Sequence, residues 1–222
     1  MRIYATLNFL MIQELCKSTK EELKMIAIIG YPGAGKTVGL SYYQKTNKNV
    51  IYMIVRKSMS AKEFYIELLN AVGYEGDVLN LSLYDIINVI VSKIKASKRK
   101  LFLIIDEAGK FKPRQLEYIH ELRDQTSDRL GIILAGPEYF YDNLFLWKEK
   151  KVIGIPEVFR RIEKIETLRL PTFREISDIC KDFKVTSDEE IKKYRDIDSF
   201  SELINRLKNR PSEDEKDEEG SY

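Results

Sequence analysis

Two short stretches hold residue types at a spacing that suits chemistry on a phosphate chain. The first is Gly30-Tyr31-Pro32-Gly33-Ala34-Gly35-Lys36-Thr37, which fits the P-loop pattern G-x-x-x-x-G-K-[ST]. Glycines let the chain turn tightly and let successive backbone N–H groups converge on phosphate oxygens. A helix starting at the lysine adds the positive end of its dipole to the same place. Lys36 is then positioned for the β- and γ-phosphates, and the Thr37 hydroxyl is a hard oxygen ligand of the kind Mg²⁺ takes. Residues 30–38, ending with Val38, are the expected nucleotide contacts, and ATP and Mg²⁺ the expected cofactors.

The second stretch is Leu101 to Phe111, reading LFLIIDEAGKF. An apolar run that ends in two acids delivers them to the carboxyl end of a buried strand, where open parallel sheets bind ligands. Asp106 is expected to help hold the metal with Thr37, and Glu107 to polarise an attacking water. The adjacent pair separates classes of phosphate chemistry. A small-molecule kinase needs no activated water, because its substrate supplies the nucleophile. The letters DEAG also resemble two-lobed helicases, but those need a second nucleotide-fold lobe that 222 residues do not accommodate. A hydrolase that uses the energy for assembly or conformational change is the expected class.

The elements that must position these residues are legible from periodicity. Apolar runs at 25–29, 49–55, 101–106 and 130–136, with a more polar one at 164–170, read as five strands. Helical patterns alternate with them: residues 35–45, a segment opened by Ser60 and Glu63 and closed at Gly73, residues 82–97, and one opened by Pro113. Such alternation predicts an α/β fold in three layers, a parallel sheet with helices on both faces. Past Pro171 the pattern becomes purely helical. The expected organisation is an N-terminal helical segment over 1–24, an α/β nucleotide-binding domain over 25–171, a small helical lid over 172–210 and an acidic, disordered tail over 211–222. The first segment is an amphipathic helix packed on the core, with an oligomerisation or adenine-covering element as the alternative.

Composition bounds the rest. The net charge of +2 hides an asymmetry: residues 211–222 carry −5, and the other 210 residues hold 36 basic against 29 acidic side chains. A mildly basic body is compatible with a polyanionic partner. Two distant cysteines, Cys16 and Cys180, and the single His120 exclude a disulfide framework and a multi-histidine metal centre. No apolar run reaches the length of about 18 residues that a membrane helix requires, and no signal peptide is read, so a cytoplasmic location is expected.

Taken in order, the P-loop, LFLIIDEAGKF, LGIILAGPEYF, EVFRRIEKIETLRLP and the helical end resemble AAA+ ATPases over about residues 25–183. The words DEAGKF…QLEYIHELRD and LAGPEYFYDNL are similar to the MuB/TnsC group of transposition ATPases and their ExeA-like relatives. The resemblance implies a P-loop NTPase sheet of order 5-1-4-3-2, and a homo-oligomer, ring or filament, with ATP at the subunit boundary. It also implies an arginine donated to the neighbour's site, for which Arg161 is the closest match and Arg160 the reserve; the competing reading is a surface pair bound to Glu157 and Glu163. Two positions depart from the pattern. The fourth strand ends in Ala135-Gly136-Pro137, with no polar side chain to place water and only Glu138 nearby, and Arg206 falls one to two turns late in the last helix.

Basic residues follow the carboxyl ends of the second and third strands: Arg56, Lys57 and Lys62, then Lys110, Lys112 and Arg114. Loops there could line the channel of a ring or filament and hold double-stranded DNA by its backbone without reading bases. The expected function is therefore ATP-dependent assembly on DNA to regulate a transposase or recombinase in target selection. A helicase-loader ATPase, a non-hydrolysing nucleotide switch and a secretion-linked ATPase remain the alternatives.

Overall fold

The computed structural model describes residues 2–210; the acidic tail expected over 211–222 lies outside the described residues. Five strands, β1 (Met25–Ile29), β2 (Val50–Ile54), β3 (Leu101–Asp106), β4 (Leu130–Gly136) and β5 (Lys164–Thr167), form one parallel sheet in the order β2-β3-β4-β1-β5. Read from the β5 edge this is the expected 5-1-4-3-2 order. The fifth strand stops three residues before the apolar pattern does; the Leu168 N–H makes a last bond to the Ile29 carbonyl at 2.8 Å and its side chain lies beside Gly30.

Ten helices surround the sheet among the described residues: α1 (Leu7–Glu22), α2 (Lys36–Thr46), α3 (Ala61–Ala71), α4 (Leu83–Ala96), α5 (Pro113–Gln125), α6 (Glu138–Glu149), α7 (Ile155–Arg161), α8 (Phe173–Asp182), α9 (Asp188–Lys192) and α10 (Phe200–Lys208). Local chemistry sets several starts. Ser60 accepts from the Glu63 N–H while its own N–H donates to the Glu63 carboxylate, and Ser82 with Asp85 and Thr172 with Glu175 repeat the device. The helices α6 and α7, which the apolar pattern does not announce, fill the connection between β4 and β5.

Strand alternation divides the core into two layers. Met25, Ala27, Ile29, Leu103, Ile105, Ile132 and Leu134 face α3 to α7, whereas Ile26, Ile28, Phe102, Ile104, Ile133 and Ala135 face α1 and α2. The N-terminal helix lies close on the sheet: a Cβ at Gly131 would meet the Thr19 carbonyl oxygen at 2.6 Å. Phe102 is fully buried and meets the Tyr43 ring edge-on at 5.8 Å. Phe102→Ala is expected to destabilise the protein by about 3–5 kcal/mol, read as a lowered urea midpoint at unchanged slope.

Past Pro171, α8, α9 and α10 gather around Ile176, Ile179, Leu203 and Leu207, a third cluster that also takes in Tyr4. It is tied to the body through the N-terminal segment. The Leu7 N–H donates to Glu175 Oε1 at 2.8 Å, and Arg2 pairs with Asp182 at 2.8 Å. Asn8, which interrupts the apolar pattern of α1, is buried and bridges both ways. Its amide donates to the carbonyls of Arg169 and Ala34, and its Oδ1 accepts from the Arg169 N–H. No helix among the described residues is long and apolar enough to cross a membrane.

Candidate functional site

The glycine loop joins β1 to α2 at the carboxyl edge of the sheet. Gly33 and Gly35 adopt φ of 86° and 89°, and Gly35 is the N-cap whose left-handed conformation lets α2 begin at Lys36. Any Cβ at these two positions would be strained, and at Gly33 it would also collide with Ser199 Oγ at the start of α10. The loop is held from several sides. Its Gly30 N–H donates to the Gly136 carbonyl, the Tyr31 hydroxyl donates to the Arg169 carbonyl at 3.1 Å, and Ser199 Oγ donates to the Pro32 carbonyl at 3.3 Å.

Lys36 folds over this loop. Its Nζ donates to the carbonyls of Gly30 and Tyr31, at 2.5 and 3.0 Å. Burial pulls the ammonium pKa below its ordinary value, against the opposing negative charges of Asp106, Glu107 and Glu138. Glu138 therefore lies within electrostatic reach of the loop even though the end of β4 carries no polar side chain.

The next residue, Thr37, meets the end of β3. Thr37 Oγ1 donates to Asp106 Oδ2 at 2.7 Å, the Tyr52 hydroxyl donates to the same oxygen at 2.7 Å, and the Glu107 N–H donates to Oδ1 at 2.8 Å. Asp106 is 1% exposed. A buried carboxylate beside a threonine hydroxyl is an all-oxygen donor pair of the hardness and size that Mg²⁺ accepts, so these residues fit that ion. Glu107 adopts φ 60° and ψ 31°, a left-handed conformation uncommon outside glycine, and its carboxylate pairs with Lys110 Nζ at 3.2 Å.

A cleft of about 170 Å³ opens beside Gly33, Gly35 and Val38. Its walls come from the N-terminal segment, through Tyr4 and Phe9, and from α8 and α10, through Ile179 and Phe200. The N-terminal helix thus packs on the core, as the amphipathic pattern leads one to expect, while the residues just before it face this cleft.

The two arginines at the end of α7 sit apart from this loop within the chain. Arg160 is exposed; Arg161 makes a bidentate pair with Asp124 on α5, its Nε 2.6 Å from Oδ1 and its Nη2 donating to Oδ2 at 2.8 Å. Neither Glu157 nor Glu163 takes Arg161; Glu163 lies 3.6 Å from Arg123 instead. Hydrogen bonding from Arg161 holds the Asp124 carboxyl below its usual range. Arg206 turns to Glu202 on its own helix at 2.6 Å.

The six basic residues after β2 and β3 are all exposed on the edge that bears the loop, since those strands are neighbours. Arg56 pairs with Glu67 at 2.8 Å, Lys110 with Glu107, and Arg114 donates to the Tyr118 hydroxyl at 3.0 Å. Lys57, Lys62 and Lys112 extend from the turn after β2, from α3 and from the cap of α5.

Tyr52 and Asp124 escaped the motif reading. A signal for Tyr52 existed: Tyr52 pairs with Ile104 and Ile54 with Asp106 in register, so strand parity puts Tyr52 on the Asp106 face. Asp124 carries no such signal, because its meeting with Arg161 depends on how α5 and α7 pack.

Residues 19–144 match the family model described as AAA domain, and the chain belongs to this family. No curated protein sequence matches it. Among solved structures it is similar to Cdc6p from Pyrobaculum aerophilum, at 17% identity and a TM-score of 0.63, over 82% of this chain and 50% of that one. It is also similar to ORC1 from Aeropyrum pernix, solved in complex with DNA, at 14% identity and a TM-score of 0.59, over 79% and 47% of the two chains. A third is a Walker-type ATPase from Pyrococcus abyssi, at 13% identity and a TM-score of 0.63, over 90% and 67%. The chain spans about half the length of the Cdc6 and ORC1 proteins. At these identities the likeness defines the fold, a P-loop AAA+ sheet with helices on both sides.

Proposed function

We propose that this chain is an ATP-hydrolysing AAA+ protein of the MuB/TnsC type that assembles on double-stranded DNA and regulates a transposase or recombinase, in the cytoplasm. The observation that carries the reading is the 2.7 Å contact between Thr37 and Asp106 with Glu107 adjoining it, which joins a phosphate-cradling loop to a pair of acids. Further support comes from membership of the AAA domain family and from a fold shared with a Walker-type ATPase and with a protein solved on DNA.

In this reading the free loop amides and the Lys36 ammonium bind the phosphates, which draws Nζ from the Gly30 and Tyr31 carbonyls toward a stronger, charged acceptor. The base enters the cleft between the N-terminal segment and the helical lid of residues 172–210. Thr37 and Asp106 would hold Mg²⁺, which would supply positive charge against the phosphates. Glu107 leaves Lys110 to orient water and accept its proton. Arg161, with Arg160 in reserve, reaches the neighbouring subunit's nucleotide in a ring or filament. Lys57, Lys62 and Lys112 meet DNA phosphates, joined by Arg56, Lys110 and Arg114 when their present partners yield. Hydrolysis then resets the assembly.

Electron microscopy and gel shift with ATP, ADP and duplex DNA test this. Oligomers on DNA with ATP, dissolving with ADP, are expected. The Lys57→Glu, Lys62→Glu, Lys112→Glu chain should lose DNA affinity about equally for unrelated sequences, with a shallower dependence on salt. Monomers indifferent to nucleotide would overturn the reading in favour of a scaffold. A second reading, the non-hydrolysing switch, draws on the bare Ala135-Gly136-Pro137 strand end and the Glu107–Lys110 pair.

A further inference from the structure

We infer that Tyr52 is a positioning residue for the metal site: its hydroxyl, with the Glu107 N–H, fixes the rotation of the Asp106 carboxylate so that Asp106 and Thr37 face the cation together. The inference rests on the ATP and Mg²⁺ reading above and deepens it.

Asp106 accepts three hydrogen bonds, and they are not equivalent. The Glu107 N–H holds Oδ1, whereas Thr37 and Tyr52 share Oδ2, each at 2.7 Å. A hydroxyl keeps two lone pairs beside its proton, so Thr37 Oγ1 can face a cation while still donating to Oδ2, provided the carboxylate holds its present rotation. Without Tyr52 the carboxylate is held only by the Glu107 N–H and by a threonine on the nucleotide loop, and it rotates about its last bond as that loop shifts. Tyr52 supplies the second fixed point. The phenol extends from β2, the strand paired with β3, and its ring packs partly buried against the layer formed with α1 and α2. The donor is therefore held by the sheet and not by the nucleotide loop.

The alternative is that Tyr52 is simply a core ring with its hydroxyl satisfied. Tyr52→Phe keeps the ring and removes only the donor, so the two roles part on metal dependence. Binding of a fluorescent ATP analogue is measured against Mg²⁺ concentration and again in EDTA, with Thr37→Ala as a reference and the melting temperature of each chain in EDTA. Groups that orient metal ligands typically contribute 10–100-fold to metal affinity. Tyr52→Phe is accordingly expected to raise the Mg²⁺ half-saturation about 10-fold or more, with EDTA affinity unchanged within about twofold. Unchanged Mg²⁺ half-saturation in Tyr52→Phe, where the Thr37→Ala chain shifts, overturns the role of Tyr52 and leaves the ATP reading standing. Equal loss in Mg²⁺ and in EDTA, with a lowered melting temperature, overturns it in favour of the core role. A wild-type chain without any Mg²⁺-dependent step overturns the ATP reading and this inference together.

Discussion

Glu107→Gln is expected to keep ATP-dependent assembly on DNA while steady-state hydrolysis falls by about 10²–10⁴-fold, the usual worth of a positioned general base. The carboxamide matches the carboxylate in size, so the left-handed turn at residue 107 and the N–H bond to Asp106 Oδ1 are retained. What is lost is the capacity to take a proton from water. The ion pair with Lys110 also goes, but side chains 38% and 34% exposed hold each other only weakly in water. Phosphate release measures turnover, and light scattering with ATP and duplex DNA measures assembly. Turnover equal to wild type would remove Glu107 from the base role. Negligible turnover in the wild-type chain, with assembly intact, would favour the non-hydrolysing switch. The two readings of the site thus part on one pair of measurements.

Much of this geometry was open to the sequence because it depends on local rules. The five strands follow from short apolar runs, and their order follows from the family that the motifs resemble. The loop's strained positions fall on glycines, Gly33 and Gly35, and the capping pair Ser60–Glu63 forms where its spacing predicts. The remaining features depend on where separate elements meet. Asn8 breaks an apolar pattern yet is buried, because the backbone of Arg169 offers it both a donor and an acceptor, 161 residues away. The helices α6 and α7 lack a clean apolar stripe; α6 leaves Tyr139, Phe145 and Leu146 about half exposed, so polar-out periodicity is blurred. Asp124 lies in a run of charges, ELRDQ, that reads as a solvated helix face until α7 brings Arg161 to it.

That Arg161–Asp124 pair frames the second large effect. An arginine serving a neighbour must be able to leave its own chain, and this one is held where water reaches both partners: Arg161 is 40% and Asp124 37% exposed. A phosphoryl group gaining charge is a stronger acceptor for the fork of a guanidinium than a hydrated carboxylate. Arg161→Ala is expected to cut turnover by about 10³–10⁵-fold, the worth of an arginine supplied in trans, with ATP affinity nearly unchanged. The decisive measurement is complementation. Lys36→Ala chains lack a working loop but carry Arg161; Arg161→Ala chains have the loop and lack the arginine. Mixed, they should regain hydrolysis that neither shows alone, because each mixed boundary of the right polarity joins an intact loop to an intact arginine. Arg160→Ala serves as the comparison and should lose little. A large loss there with Arg161→Ala near normal would transfer the role to Arg160. If Arg161→Ala lowers the melting temperature and mixing restores nothing, Arg161 acts by clamping α7 to α5 within its own chain.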